Sequence, residues 1–214
     1  ELSDLNRPLL QELAIKAPGT LQHSLQVANL AEAAARRIGA NHLLVRVAAL
    51  YHDIGKTVQP EYFIENQGDT NLHNQLPFRE SARVIINHVP QGVEIARQYR
   101  LPKVLIDFIR THHGTTLVEY FYRKEKDANP DEIVEEMDFR YPGPKPRSKE
   151  ESVLMLADSI EAAAKASLKN PGPGDIQSLV ERIIAGKLSN KQLEDSALTF
   201  NDLEKCKVVF LQIL

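Results

Sequence analysis

Seven side chains in this sequence can bind cations and are spaced to do so together. His52 and Asp53 are adjacent, at the close of an apolar run, and Gly55 and Lys56 follow at once. His23 lies upstream, and His88, the pair His112-His113 and Asp158 lie downstream. Most follow apolar residues by three or four positions, a spacing that turns them to the inner faces of helices. A buried carboxylate costs several kcal/mol unless it is paired or bound to a cation, and no Lys or Arg is expected beside these groups. A divalent cation satisfies such a set. Imidazole and carboxylate without thiolate suit iron, manganese, cobalt or magnesium better than structural zinc.

Seven ligands exceed what one ion with open positions uses. Two ions about 3.5–4 Å apart, sharing one carboxylate, would use them all. Asp53 is the expected bridge because it adjoins His52. Such a pair lowers the pKa of a shared water, and the resulting hydroxide can attack phosphorus while the cations neutralise the phosphoryl oxygens. Phosphoester hydrolysis is the chemistry that needs this arrangement. Taken singly, each group has a structural reading: an inner His as a hydrogen-bonded core residue, His112-His113 as a helix end, Asp158 as the partner of a basic side chain. Their joint occurrence favours a site. Of the other two histidines, His42 reads as an exposed first-turn residue and His73, in a long loop, as a candidate substrate contact.

The elements that must position these groups are helical. A short helix is expected within residues 1–18, closed by a turn at Pro18-Gly19. A second helix, capped by Thr20 and stopped by Gly39, aligns His23 with Val27 and Leu30. A third, about 41–54, carries Val45, Ala48 and His52. Residues 55–76 read as an irregular loop of functional length. Helices at about 77–88 and 93–99 follow, then one opened by Pro102 and ended by Gly114, whose apolar stripe His112 and His113 straddle. Thr115 or Thr116 is expected to cap a helix over about 116–128. Residues 129–147 are irregular and hold Pro142-Gly143-Pro144-Lys145-Pro146, which cannot be helical. Ser148 and Glu151 form a capping box for a helix to about Leu168, on which Leu154, Asp158 and Ala162 share a line. A turn at Asn170-Pro171-Gly172-Pro173-Gly174 precedes two helices, about 175–186 and 201–214, the last capped by Asn201 with Glu204. No strand alternation persists. The expected fold class is all-α, one domain over residues 1–214, a helical bundle with its metal site between helices.

Composition narrows the rest. Of 214 residues, 43% are hydrophobic and 26% charged, ordinary for a globular domain. A net charge of −3 argues against recruitment of nucleic acid polymer. Cys206, the single cysteine, excludes an internal disulfide and fits a reducing compartment. No apolar run is long enough to span a bilayer, and no signal peptide is present. The chain starts at Glu1 and ends on an apolar run from Val208 to Leu214, which reads as a piece of a longer polypeptide. Whether that run pairs with a second copy in a homodimer is left open.

The order His23, His52-Asp53, Asp158 resembles the HD phosphohydrolase superfamily. Longer segments narrow the resemblance: Leu50-Tyr51-His52-Asp53-Ile54-Gly55-Lys56, Phe63-Ile64-Glu65-Asn66-Gln67, His112-His113-Gly114-Thr115-Thr116, and Phe139-Arg140-Tyr141 running into the proline-rich stretch. These resemble the HD domain of the seven-transmembrane HD family, bacterial cyclic-di-AMP phosphodiesterases, from about Lys16 onward. The resemblance implies an all-helical domain, a di-metal centre usually of iron or manganese, and cleavage of cyclic-di-AMP to pApA. Carried over by position, one metal takes His23, His52, Asp53 and Asp158, and the other shares Asp53 and takes His88, His112 and His113. Asp53 and Lys56 are then the catalytic candidates, Lys56 lying near a phosphate, with His73 and Thr115 as further substrate contacts. Adenines are expected in an apolar groove between residues 115–122 and the 56–76 loop. Leu72 stands where the family often has Pro, which loosens the expectation for that loop. The Gly-Tyr-Pro signature of cyclic-di-GMP hydrolases is absent. The same resemblance places membrane helices and an outer sensory region before residue 1, so this domain would face the cytosol at the bacterial membrane. Two rival readings are a hydrolase of another nucleotide (cyclic-di-GMP, a dNTP or ppGpp) and a non-catalytic cyclic-dinucleotide sensor.

Overall fold

Prolines open the first two helices. Pro8 and Pro18 occupy first-turn positions of α1 (Pro8–Lys16) and α2 (Pro18–Arg37), where a fixed φ suits the helix and the missing N–H costs nothing. The computed structural model describes residues 2–68, 70–167 and 172–214. In it the expected turn at Pro18-Gly19 is the first turn of α2. Gly19 is needed there by a neighbour: a Cβ on it would lie 1.9 Å from the Glu65 carbonyl oxygen. Thr20 does not cap the helix. Its amide donates to Asn66 Oδ1 at 3.1 Å and its hydroxyl donates to Glu65 Oε1 at 3.1 Å. A distant turn therefore satisfies one of the orphan donors of α2 and is itself held in place.

Gly39, at φ +73°, follows the end of α2, and Asn41 Oδ1 accepts the Leu44 amide at the start of α3 (His42–Tyr51). His42 is half-buried beside Glu32. After α3 the chain tightens into a 3-10 turn, Ile54–Val58, and three more such turns, Pro60–Tyr62, Ile64–Asn66 and Leu72–Gln75, fill the loop that the sequence leaves irregular.

The two helices expected around Pro90 are one, α4 (Phe78–Gln98). A proline inside a helix costs about 3 kcal/mol, but Pro90 is exposed, so water can reach the carbonyl it leaves without a donor. Val89, Gly92, Val93 and Ala96 are buried on the other side, where α4 packs on the Ile54–Val58 turn and on α5 (Lys103–Thr111). That burial outweighs the local penalty. Pro102 is the residue before α5, not its first turn.

α6 (Glu119–Ala128) starts later than expected, and neither Thr115 nor Thr116 caps it. The segment before it is extended: Val118 donates to the Phe139 carbonyl, Tyr141 donates to the Thr116 carbonyl, and Leu117 and Arg140 form an antiparallel bridge. These bonds give the otherwise irregular 129–147 stretch its anchor. Its one regular piece is a 3-10 turn, Glu136–Phe139. The Ser148–Glu151 capping box opens α7 (Lys149–Ser167) as expected. Leu168, Asn170 and Pro171, where that helix end and the next turn were expected, lie outside the described residues. α8 (Pro173–Ser189) and α9 (Phe200–Ile213) close the chain. The cap of α9 is Thr199 with Asp202, not Asn201 with Glu204. Thr199 Oγ1 accepts the Asp202 amide and Asp202 Oδ2 accepts the Thr199 amide, both at 3.1 Å.

The fold is all-α: among the described residues, nine α-helices and no strand. α2 runs between α3, α7 and α9. Small residues on its inner faces (Ala28, Ala31, Ala34 and Ala35), with Ala48 and Ala49 of α3 and Ala157 of α7, let the backbones approach, while Tyr51, Phe108 and Phe210 fill the remaining volume. A smaller cluster of Ala82, Phe121 and Phe139 lies between α4, α6 and the 136–139 turn. No described helix is long and apolar enough to cross a membrane.

Candidate metal centre

Five elements deliver the seven candidate ligands to one place. α2 brings His23, the end of α3 brings His52 and Asp53, the middle of α4 brings His88, the end of α5 brings His112 and His113, and α7 brings Asp158. All are buried except His113, which is half-buried.

The histidine rings are aimed by their second nitrogens. Nδ1–H of His52, His88 and His112 donates to the carbonyl three residues back, Ala49, Ile85 and Ile109, at 2.7, 2.6 and 2.8 Å. A carbonyl only accepts, so each bond fixes the tautomer and turns the Nε2 lone pair inward. His23 does the same with a carboxylate: its Nδ1 lies 2.5 Å from Glu161 Oε2. Partners of this kind commonly orient metal-binding imidazoles.

The inward atoms form two groups. In one, Asp53, His88, His112 and His113 offer atoms all within 4.8 Å of one another; in the other, His23, His52, Asp53 and Asp158 do. Asp53 belongs to both and divides its oxygens between them. Oδ1 lies 3.2 Å from His88 Nε2 and 3.5 Å from His112 Nε2, while Oδ2 lies 3.3 Å from His52 Nε2 and 3.6 Å from His23 Nε2. Asp158 Oδ1 is 3.0 Å from His23 Nε2, and its Oδ2 is 3.7 Å from His113 Nδ1. His52 Nε2 and Asp53 Oδ1 are buried with no hydrogen-bond partner. Orphaned atoms of that kind are costly in a dry interior. Two polar atoms left bare among nitrogen and oxygen donors, with no sulfur, fit a site for divalent cations.

Charge follows the same division. Burial resists ionisation of Asp53, but His52 and Lys56 hold its carboxyl well below the usual range. Burial likewise opposes the charge on Asp158, which a hydrogen bond with His23 and the nearby His52 keep ionised. Against burial, Asp158 and Glu161 raise His23 to about 9, and Asp53 with Asp158 raises His52 to about 10. Burial pushes His112 and His113 down. Two carboxylates thus stay anionic among the imidazoles, and protons on His23 and His52 stand where cations would sit.

One expectation fails here. Lys56 lies directly beside Asp53, with Nζ 2.7 Å from Oδ2 and 2.8 Å from Glu65 Oε1. The 3-10 turn is the reason, since three residues per turn stack Lys56 over Asp53. The two carboxylates outweigh burial and raise its pKa.

Four of the seven, His23, His88, His113 and Asp158, line one side of a cavity of about 530 Å3 whose other walls include Phe63, Ile64, Ile85, Leu117, Val118 and Tyr141. Residues 63–65 and 116–118 bound it, close to the expected groove. Tyr141 stacks on His113, ring centroids 4.3 Å apart. His73 is placed elsewhere, between Tyr62 and Phe121, its Nε2–H donating to the Tyr62 carbonyl. Thr115 is also outside the lining: its amide donates to Gln192 Oε1 and its hydroxyl bonds the same amide group. Thr116 lines the cavity in its stead. Sequence reasoning missed Glu161, Tyr141 and Lys187. Of these Glu161 carried a signal in its three-residue spacing from Asp158 on α7, Tyr141 one in the segment that follows Phe139-Arg140, and Lys187 none.

Residues 20–163 match the HD domain family. The chain belongs to that family. This HD domain is 49% identical over 205 residues to the cyclic-di-AMP phosphodiesterase PgpH of Bacillus subtilis, covering 95% of this chain and 28% of that protein. The crystal structure of the PgpH HD domain from Listeria monocytogenes matches with a TM-score of 0.92 and 42% identity over 97% of both chains. The structure of the same domain in complex with cyclic-di-AMP matches with a TM-score of 0.92 and 43% identity, over 96% of this chain and 94% of that one. The present HD domain thus spans less than a third of the length of the curated relatives it matches.

Proposed function

We propose that this HD domain is the hydrolytic part of a larger cyclic-di-AMP phosphodiesterase and cleaves the cyclic dinucleotide to pApA. The observation that carries this reading is the placement of Asp53, one oxygen toward each histidine group, with His23, His88, His113 and Asp158 of those groups lining the cavity. His23, His52, Asp53 and Asp158 hold one divalent cation, and Asp53, His88, His112 and His113 hold a second. Iron or manganese held there supplies Lewis acidity toward a phosphoryl oxygen and acidifies water at neutral pH.

The chain's own residues do the rest. The carbonyls of Ala49, Ile85 and Ile109 keep three imidazoles in the ligating tautomer. Lys56 keeps Asp53 anionic and, with Glu65, fixes the turn that carries it. Phe63, Ile85, Leu117, Val118 and Tyr141 offer apolar surface for adenine. Hydrolysis adds water across one P–O bond: hydroxide joins phosphorus in line with the departing ribose 3′-oxygen, which leaves protonated. Residues 1–214 act as one domain facing the cytosol, in a parent held at the membrane by segments outside this chain. His73 supports the loop around Tyr62, and its contact with substrate is indirect.

The test is chromatography of products from cyclic-di-AMP, cyclic-di-GMP, a dNTP and ppGpp, each with manganese. The reading expects pApA and the fastest turnover from cyclic-di-AMP. Equal or faster turnover of another nucleotide makes the domain a hydrolase of that compound, and tight binding without hydrolysis in any metal makes it a sensor.

A further inference from the structure

The cavity holds three lysines, and they are not equivalent. Lys56 is neutralised by Asp53 and Glu65. Lys165 is exposed. Lys187 is half-buried, and its one hydrogen bond is to Thr116 Oγ1 at 3.2 Å. Among the described residues no carboxylate lies within 4 Å of its ammonium. Burial lowers its pKa to about 8, partly offset by the field of Asp158, so it carries its charge at neutral pH. An ammonium removed from water without a counter-charge is costly, and this one faces an open cavity.

Both partners are held firmly. Val180 and Ile184 are buried on the face of α8 that also presents Lys187. Thr116 sits in the extended segment pinned by Tyr141, and Gln192 clamps its neighbour Thr115. An ammonium and a hydroxyl preset side by side suit a phosphate oxygen, which lysine serves as a point charge. They lie on elements, α8 and the 116–118 segment, that deliver none of the seven ligands.

We infer that Lys187 and Thr116 form a second anion subsite, which takes the phosphodiester that is not being cleaved. This rests on the proposed reading and deepens it. A cyclic dinucleotide carries two phosphodiesters on one ring. With one at the histidine cluster, the other needs a counter-charge within the same cavity, and Lys187 is the half-buried cation left unpaired to supply it. The subsite favours two-phosphate rings over substrates with a single phosphodiester.

The experiment is steady-state kinetics of the manganese-loaded domain on cyclic-di-AMP and on bis(p-nitrophenyl) phosphate, a diester with one phosphate. Loss of a charge-assisted hydrogen bond predicts that Lys187→Gln raises KM for cyclic-di-AMP about tenfold or more while kcat changes less. The fall in kcat/KM should be at least about tenfold larger for the cyclic dinucleotide than for the one-phosphate diester. Lys187→Arg, which keeps the charge, should recover most of the affinity. Equal losses on both substrates would place Lys187 at the cleaved phosphate and overturn the inference, as would no loss on either. A wild-type domain that hydrolyses the small diester and no cyclic dinucleotide overturns the functional reading, and this inference with it.

Discussion

Substituting alanine for Gly55 should damage the centre from outside its ligands. Gly55 sits in the 3-10 turn after Asp53, against the backbone of α4. A Cβ there would lie 1.8 Å from the His88 carbonyl oxygen and 2.6 Å from the Gly92 amide nitrogen. Both obstacles are backbone, so neither can swing aside. Ordinary contact begins at 3.4 Å, so turn and helix must part by about 1.6 Å. Overpacking of this kind costs about 1–3 kcal/mol, occasionally more. The separation falls between Asp53 Oδ1 and His88 Nε2, now 3.2 Å apart, and so opens one ligand group while sparing His23, His52 and Asp158. Gly55→Ala should lower stability in urea by that amount and lose one of two bound ions. Gly92→Ala is the control. Its Cβ would meet an Ile109 methyl at 3.1 Å and the Gly55 nitrogen at 3.2 Å, gaps that a few tenths of an ångström relieve. Alanine inside a helix gains about 0.5–1 kcal/mol over glycine, so Gly92→Ala should stay within about 1 kcal/mol of wild type. A Gly55→Ala protein with wild-type midpoint and metal content would refute the reasoning.

Three other outcomes follow from particular contacts. Glu161→Gln removes the carboxylate on His23 Nδ1 and should weaken one metal by about 10–100-fold in chelator competition; unchanged affinity would strip Glu161 of an orienting role. Thr199→Ala removes the α9 cap and should cost about 1 kcal/mol in urea with metal content intact; a larger loss, or lost metal, would mean that α9 supports the centre directly. Lys187, at about 8 in the folded chain, returns to an ordinary lysine pKa on unfolding. Between pH 8 and about 10.4 the unfolded chain therefore holds a proton that the folded chain has shed, and stability relative to Lys187→Gln should rise with pH across that window; a flat difference between the two unfolding curves would show the ammonium to be well solvated.

Helical phase explains why the convergence of the candidate ligands was readable in the sequence. His23 with Val27 and Leu30, and His88 after Val84 and Ile85, announce their faces through three- and four-residue spacing; all are buried except Val84 and Ile85, which are half-buried. Boundaries were less readable because tertiary contacts set them. Nothing local says that Pro90 will be carried through a helix by burial on its opposite side, or that Asn66 and Glu65, rather than Thr20, will settle the start of α2. The Lys56–Asp53 pair depends on a 3-10 turn, whose three-residue stacking a helical reading does not consider. Thr199 lost to Asn201 as the expected cap by a shift that only the Asp202 hydrogen bonds resolve. Lys187 could not be found at all, since what singles it out is a folded cavity that pairs it with a hydroxyl and, among the described residues, with no carboxylate.

The most direct test of the two-group centre is an anomalous difference map from crystals of the manganese-loaded protein. The account expects two peaks, one among His23, His52, Asp53 and Asp158 and one among Asp53, His88, His112 and His113, with an Asp53 oxygen facing each. A single peak elsewhere, or none at this cluster, would contradict it.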